Sequence, residues 1–226
     1  VMKTAAAETP EAEMPCGPLK IGVIGANGKS GSLIAREAAA RGHDVTAIVR
    51  RDVETPAGRA LVRDVFDLTA DDLAGFDAVV DAFGTSRPED LPLHKRHLEH
   101  LASILAGTAT RLVVVGSAGS LYIDGDHTTR VLESPQMPEQ FKPVASAMAD
   151  GLDCLRTRGD VAWTYVSPPL DFRADGERTG SYILAGEEFT LNSNGESAMS
   201  YADYAIGLID EIEAGKHVRE RISLLS

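Results

Sequence analysis

Residues 20–51 read KIGVIGANGKSGSLIAREAAARGHDVTAIVRR. An apolar run, Ile21 to Ile24, leads into glycines at 25, 28 and 31. Helix formers from Leu33 to Ala40 follow, and then a second apolar run, DVTAIV. That order predicts a strand, a tight turn, a helix and a second strand. The spacing G-x-x-G-x-x-G is a variant of the dinucleotide fingerprint, and a buried strand before it with a helix after it is the context that fingerprint needs. Gly25 permits the turn, Gly28 lets the backbone approach a pyrophosphate, and Gly31 lets the helix pack close to the strand. The helix N-terminus offers N–H groups and a positive dipole end to phosphates. Asn27, Lys29 and Ser30 complete the turn, and Asn27 and Ser30 could equally serve as helix caps.

The end of the second strand selects the dinucleotide. NAD sites carry an acidic residue there to bind the ribose hydroxyls. This chain has Arg50 and Arg51, with Asp44 at the opposite end of the strand and Asp52 only beyond the arginines. A guanidinium fork suits a 2′-phosphate, so NADP(H) is expected in preference to NAD(H), and one of the two arginines suffices.

Bulk properties bound the rest. A chain of 226 residues with formal net charge −12 suits one globular domain. The charge disfavours nucleic acid and anionic membranes as partners. Cys16 and Cys154 are isolated, which points to a reducing, cytoplasmic setting without a disulfide framework. No window approaches the ~20 apolar residues of a membrane span. Residues 1–18 hold three glutamates and three prolines and no apolar signal core, so they read as a flexible extension before a domain over 19–226. Monomer and homodimer are both open.

Strand and helix go on alternating. Strands are predicted at 59–62, 76–82, 111–115, 161–166 and 218–225. Helices are predicted at 91–106, from the spacing of Leu98, Leu101 and Leu105, at 144–158 with Gly159 as C-cap, and from an N-cap at Ser200 to about 214. Apolar strands in repeated βα units give a doubly wound parallel sheet, a Rossmann fold ordered 3-2-1-4-5-6. Residues 170–195, with short strand-like runs at 181–185 and 188–191, read as a small substrate-side lobe.

The motifs IGANGKSG (24–31), AIVRR (47–51), DVFDL (64–68), DAVVDAFG (77–84), VVVGSAGSLY (113–122), FKP (141–143), WTYVSPP (163–169) and GERTGSY (176–182) occur in that order. With them the chain resembles the NAD(P)H-binding, NmrA-like group of atypical short-chain dehydrogenases, and within it the bacterial proteins assigned as NADH-flavin reductases. The resemblance spans nearly everything after Pro18. It implies a reduced nicotinamide cofactor and a flavin or quinone-like acceptor, a small-molecule partner.

Ligands of open α/β sheets bind at the carboxyl ends of the strands. Asp64 and Val65 are therefore expected beside the adenine, Ala82, Phe83 and Gly84 along the ribose and pyrophosphate, and Ser117 near the nicotinamide. Ser167, Pro168 and Pro169 are expected to close over the carboxamide. Ordinary short-chain dehydrogenases protonate their substrate with a Tyr-x-x-x-Lys pair, and no tyrosine here has lysine four residues on. Hydride transfer between two stacked rings needs mainly binding and orientation. Ser117 and Lys142 are the candidate catalytic residues, with Lys142 weighed evenly against a solvent-exposed lysine at a helix start. An NADP(H)-binding redox sensor without turnover is the alternative, and an epimerase using bound cofactor a third reading. His94, His97 and His100, mixed with Lys95, Arg96 and Glu99, read as a solvated helix face, with no metal site.

Overall fold

In a computed structural model, residues 17–52 and 54–226 are described. The extension expected over 1–18 therefore falls almost wholly outside the described residues, as does Cys16. β1 (Lys20–Ile24), α1 (Lys29–Ala40) and β2 (Asp44–Val49) form the opening unit. They are followed by β3 (Arg59–Val62), α2 (Ala70–Leu73), β4 (Ala78–Asp81), α3 (Leu93–Ile104), β5 (Arg111–Val115), α4 (Lys142–Arg156) and β6 (Trp163–Ser167). β7 (Asp171–Arg173), β8 (Ile183–Ala185), β9 (Ala198–Ser200), α5 (Tyr201–Ala214) and β10 (Glu220–Leu225) complete the chain.

The main sheet runs β3-β2-β1-β4-β5-β6-β10-β8. Its first six strands have the expected Rossmann order. β10 extends it in parallel and β8 closes the edge antiparallel to β10. Because side chains alternate faces along a strand, the register sorts the core in two. Val23, Val80, Val113 and Val166 meet α1 and α5 on one face. Ile24, Val79, Leu112, Val114 and Tyr165 meet α3 and α4 on the other. Asp81 is opposite Ile24 in the register, so it belongs to the α3 face.

Several expectations need correction. The fourth helix begins at Lys142, with Pro143 in its first turn where the missing N–H costs nothing. It ends at Arg156 on Thr157, so Gly159 is not its cap. Residues 188–191 form no strand; Glu188 makes only an isolated bridge to Tyr122. Of the substrate-side segment, β8 joins the main sheet, and β7 pairs with β9 as a separate ribbon.

The histidine helix differs most from expectation. His94 and His97 are each 2% exposed. The apolar stripe of Leu98, Leu101 and Ala102 on α3, carried back one turn, lands on those two histidines. They occupy core positions because the sheet offers polar partners there.

Candidate dinucleotide and acceptor site

The glycine turn is closed by backbone contacts. Gly25 has φ 73°, a left-handed conformation that suits glycine. Its N–H donates to the Ile48 carbonyl at 3.0 Å, and its own carbonyl accepts from Gly28 N–H at 2.8 Å. A Cβ on Gly31 would stand 2.2 Å from the Gly25 oxygen. Gly31 thus packs helix against turn, as the fingerprint requires. α1 starts on Gly28 with no side-chain cap, so neither Asn27 nor Ser30 caps it and its first N–H groups face outward without a side-chain acceptor.

This turn floors a cavity of about 1040 Å³. Gly25, Asn27, Gly28 and Lys29 form the floor. Arg50 and Arg51 line the β2 side beside Asp64 and Val65, and Ala82, Phe83 and Gly84 form the β4 side. Among the described residues neither Arg50 nor Arg51 is in an ion pair, unlike Arg63 with Asp72 and Arg87 with Asp90, which line the same cavity. Arg63 and Arg87 were not anticipated. Arg63 follows β3 just as Arg50 follows β2, so the strand-end argument would have selected it. Ser30 and Gly31 lie behind the floor and are not in the lining.

The β4 side is held from below by a buried charge pair. Asp81, 1% exposed, accepts from Phe83 N–H at 3.1 Å and faces His97 Nε2 at 2.7 Å. His97 Nδ1 faces the Leu93 carbonyl at 2.8 Å. Both partners are acceptors, so the geometry calls for a ring protonated at both nitrogens. Burial by itself pushes the His97 pKa down; the Asp81 carboxylate and its hydrogen bond outweigh this and raise it. Burial holds His94 low instead, and its Nε2 donates to the Thr85 carbonyl at 2.8 Å. The Phe83 ring lies 4.3 Å from His97, centroid to centroid. The two histidines fix the strip from Ala82 to Thr85.

A second cavity of about 850 Å³ opens beside the ends of β5 and β6. Ser117 lines it, with Gly116, Pro168 and Pro169. Met137, Phe141, Met148, Leu170, Phe172 and Phe189 make it largely apolar. Ser117 Oγ accepts from Gly119 N–H at 3.0 Å, leaving its own hydrogen to donate. Ser86 and Tyr201 line both cavities, which therefore meet there. Burial raises the Tyr201 pKa. Tyr165 and Tyr204 are buried in the core, and the Tyr204 hydroxyl donates to the Val166 carbonyl at 2.7 Å. Tyr182 donates to Asp210 at 2.6 Å.

Besides Ser30 and Gly31, two more expected site residues are elsewhere. Ser167 is fully buried, 3.4 Å from Arg221 Nη1, and lines neither cavity. Lys142 is ion-paired with Glu139 at 2.5 Å and is absent from the acceptor-side lining. Its helix starts two residues earlier than the sequence implied, so Lys142 is the first residue of α4.

A glycine floor at an uncapped helix end, arginines at the second strand and a doubly wound sheet define a dinucleotide-binding α/β protein of the Rossmann class. The family described as NAD(P)H-binding matches residues 25–212, and the chain belongs to it. The Bacillus subtilis (strain 168) protein YwnB is 44% identical over 211 residues, spanning 92% of this chain and 99% of that protein. A Streptococcus pneumoniae TIGR4 protein provisionally assigned as an NADH-flavin reductase has a crystal structure 57% identical to this chain. It superposes with TM-score 0.90, covering 92% of this chain and 99% of that one. A Bacteroides thetaiotaomicron protein provisionally assigned as an epimerase is 32% identical, with TM-score 0.79 over 92% and 97% of the two chains.

Proposed function

We propose that this NAD(P)H-dependent oxidoreductase passes hydride from NADPH to a flavin or similarly flat redox acceptor. The observation that carries the reading is the meeting of two unlike cavities at Ser86 and Tyr201, one floored by glycines and edged with arginines, the other apolar. The first fits a dinucleotide. Asn27, Gly28 and Lys29 would hold the pyrophosphate at the α1 N-terminus, Arg50 or Arg51 the 2′-phosphate, and the strip from Ala82 to Gly84 the ribose. When bound, a reduced nicotinamide supplies the hydride.

The chain's own contribution is placement and exclusion of water. The apolar walls around Phe172 and Met148 dry the acceptor side, where a hydrogen bond acts more strongly than in water. Ser117 and Tyr201 are two of the hydroxyls lining that space, with Ser86 and Ser197, and each of the two would donate to a heteroatom of the acceptor and orient its ring. Lys142 has no such role in this reading. The assignment of the Streptococcus pneumoniae relative supports the flavin acceptor. We place the reaction in the cytoplasm, on the half-buried thiol Cys154, which has no disulfide partner among the described residues.

The test is steady-state NADPH oxidation with riboflavin, FMN and short-chain quinones under anaerobic conditions. Reduction of these acceptors with simple aldehydes inert is the expected result. Tight NADPH binding without turnover of any acceptor would favour a redox sensor instead.

A further inference from the structure

We propose that the second cavity selects an uncharged planar redox ring and rejects its phosphorylated forms, so that riboflavin or a quinone is preferred to FMN and FAD. This rests on the acceptor reading above. The two cavities divide the charge between them. Lys29, Arg50, Arg51, Arg63 and Arg87 all line the first. Among the described residues lining the second, the one charged side chain is Asp171, a carboxylate at the rim. The wall is otherwise Met137, Phe141, Met148, Leu170 and Phe172 with their neighbours, and Asp171 neutralises the nearby Arg173 at 2.6 Å. A ring loses little by entering such a wall, whereas a phosphate dianion drawn in behind it loses water and gains no cation. The cavity's volume of about 850 Å³ accommodates a tricyclic ring with or without its tail, so the discrimination lies in charge and not in size.

Flavin fluorescence titration of the NADP⁺-loaded protein tests this apart from turnover. Riboflavin should bind at least tenfold more tightly than FMN, and kcat/KM with NADPH should rank the two in the same order. Asp171→Asn, which frees Arg173, should narrow the gap. Leu191→Arg, which puts a cation on a half-exposed position of the lining, should narrow it further. FMN binding as tightly as riboflavin, or a gap unmoved by both variants, overturns the proposal while leaving the flavin reading standing. Binding of neither flavin, with no turnover of either, removes both.

Discussion

Replacing His97 with leucine tests the buried pair beneath the first cavity. Leucine suits the apolar stripe of α3, so the loss is electrostatic more than steric. Asp81 is left 1% exposed with only the Phe83 N–H at 3.1 Å. Breaking a buried ion pair by removing one partner costs roughly 3–5 kcal/mol. In a chain of this size each kcal/mol lowers Tm by about 2–4 °C, so a fall of about 6–20 °C is expected. Asp81→Asn keeps the acceptor for Phe83 and a partner for the imidazole, and should cost less, about 1–3 kcal/mol. In that background His97→Leu should cost far less than alone, because no charge is stranded; urea unfolding of all four proteins gives the coupling. The pH dependence has a fixed sign. His97 has a folded pKa raised above its ordinary 6.5. Its contribution is complete below about pH 6.5 and is lost as pH rises through the folded value. The wild type should therefore lose stability over that window and His97→Leu should lose less. A cost below 1 kcal/mol, or zero coupling in the cycle, would refute the ion-pair account.

Four further outcomes are expected. NADPH at a hundred times its Kd should add about 2.7 kcal/mol of apparent stability in a thermal melt, and an unmoved melt would count against the first cavity as its site. Arg50→Ala with Arg51→Ala should weaken NADPH by roughly ten- to hundredfold in calorimetry, the worth of a charge-assisted contact of about 1.5–3 kcal/mol, and leave NADH unchanged. Gly31→Ala should abolish cofactor binding, since its Cβ would lie 2.2 Å from the Gly25 oxygen and the turn has to open. Tyr201→Phe and Ser117→Ala should each lower kcat/KM by about 1–3 kcal/mol of transition-state stabilisation, while Lys142→Ala, whose partner is Glu139 at the rim, should leave it near wild type.

The order β3-β2-β1-β4-β5-β6 was legible in the sequence because each strand is an apolar run between turn residues, and right-handed crossovers leave few arrangements of such units. The glycine turn was legible for a local reason: Gly25 takes a φ of 73°, and Gly31 packs on the Gly25 carbonyl six residues before it. The strand-end arginines were legible too, since a strand's carboxyl end is fixed by its direction. What sequence could not decide depends on which face or register a residue takes once helices dock. His94 and His97 look like part of a polar surface, with Lys95, Arg96 and Glu99 around them. Only the packing of α3 on the sheet turns them inward, and only the parity of β4 points Asp81 at His97. Lys142 and Ser167 lie in the expected segments but outside both linings: Lys142 pairs with Glu139, and strand alternation puts Ser167 in the core beside Arg221. Tyr201 follows the Ser200 cap that the sequence marks. Its place between the cavities is set by α5 packing against α1, β9 and β10, long-range contacts that no local pattern encodes.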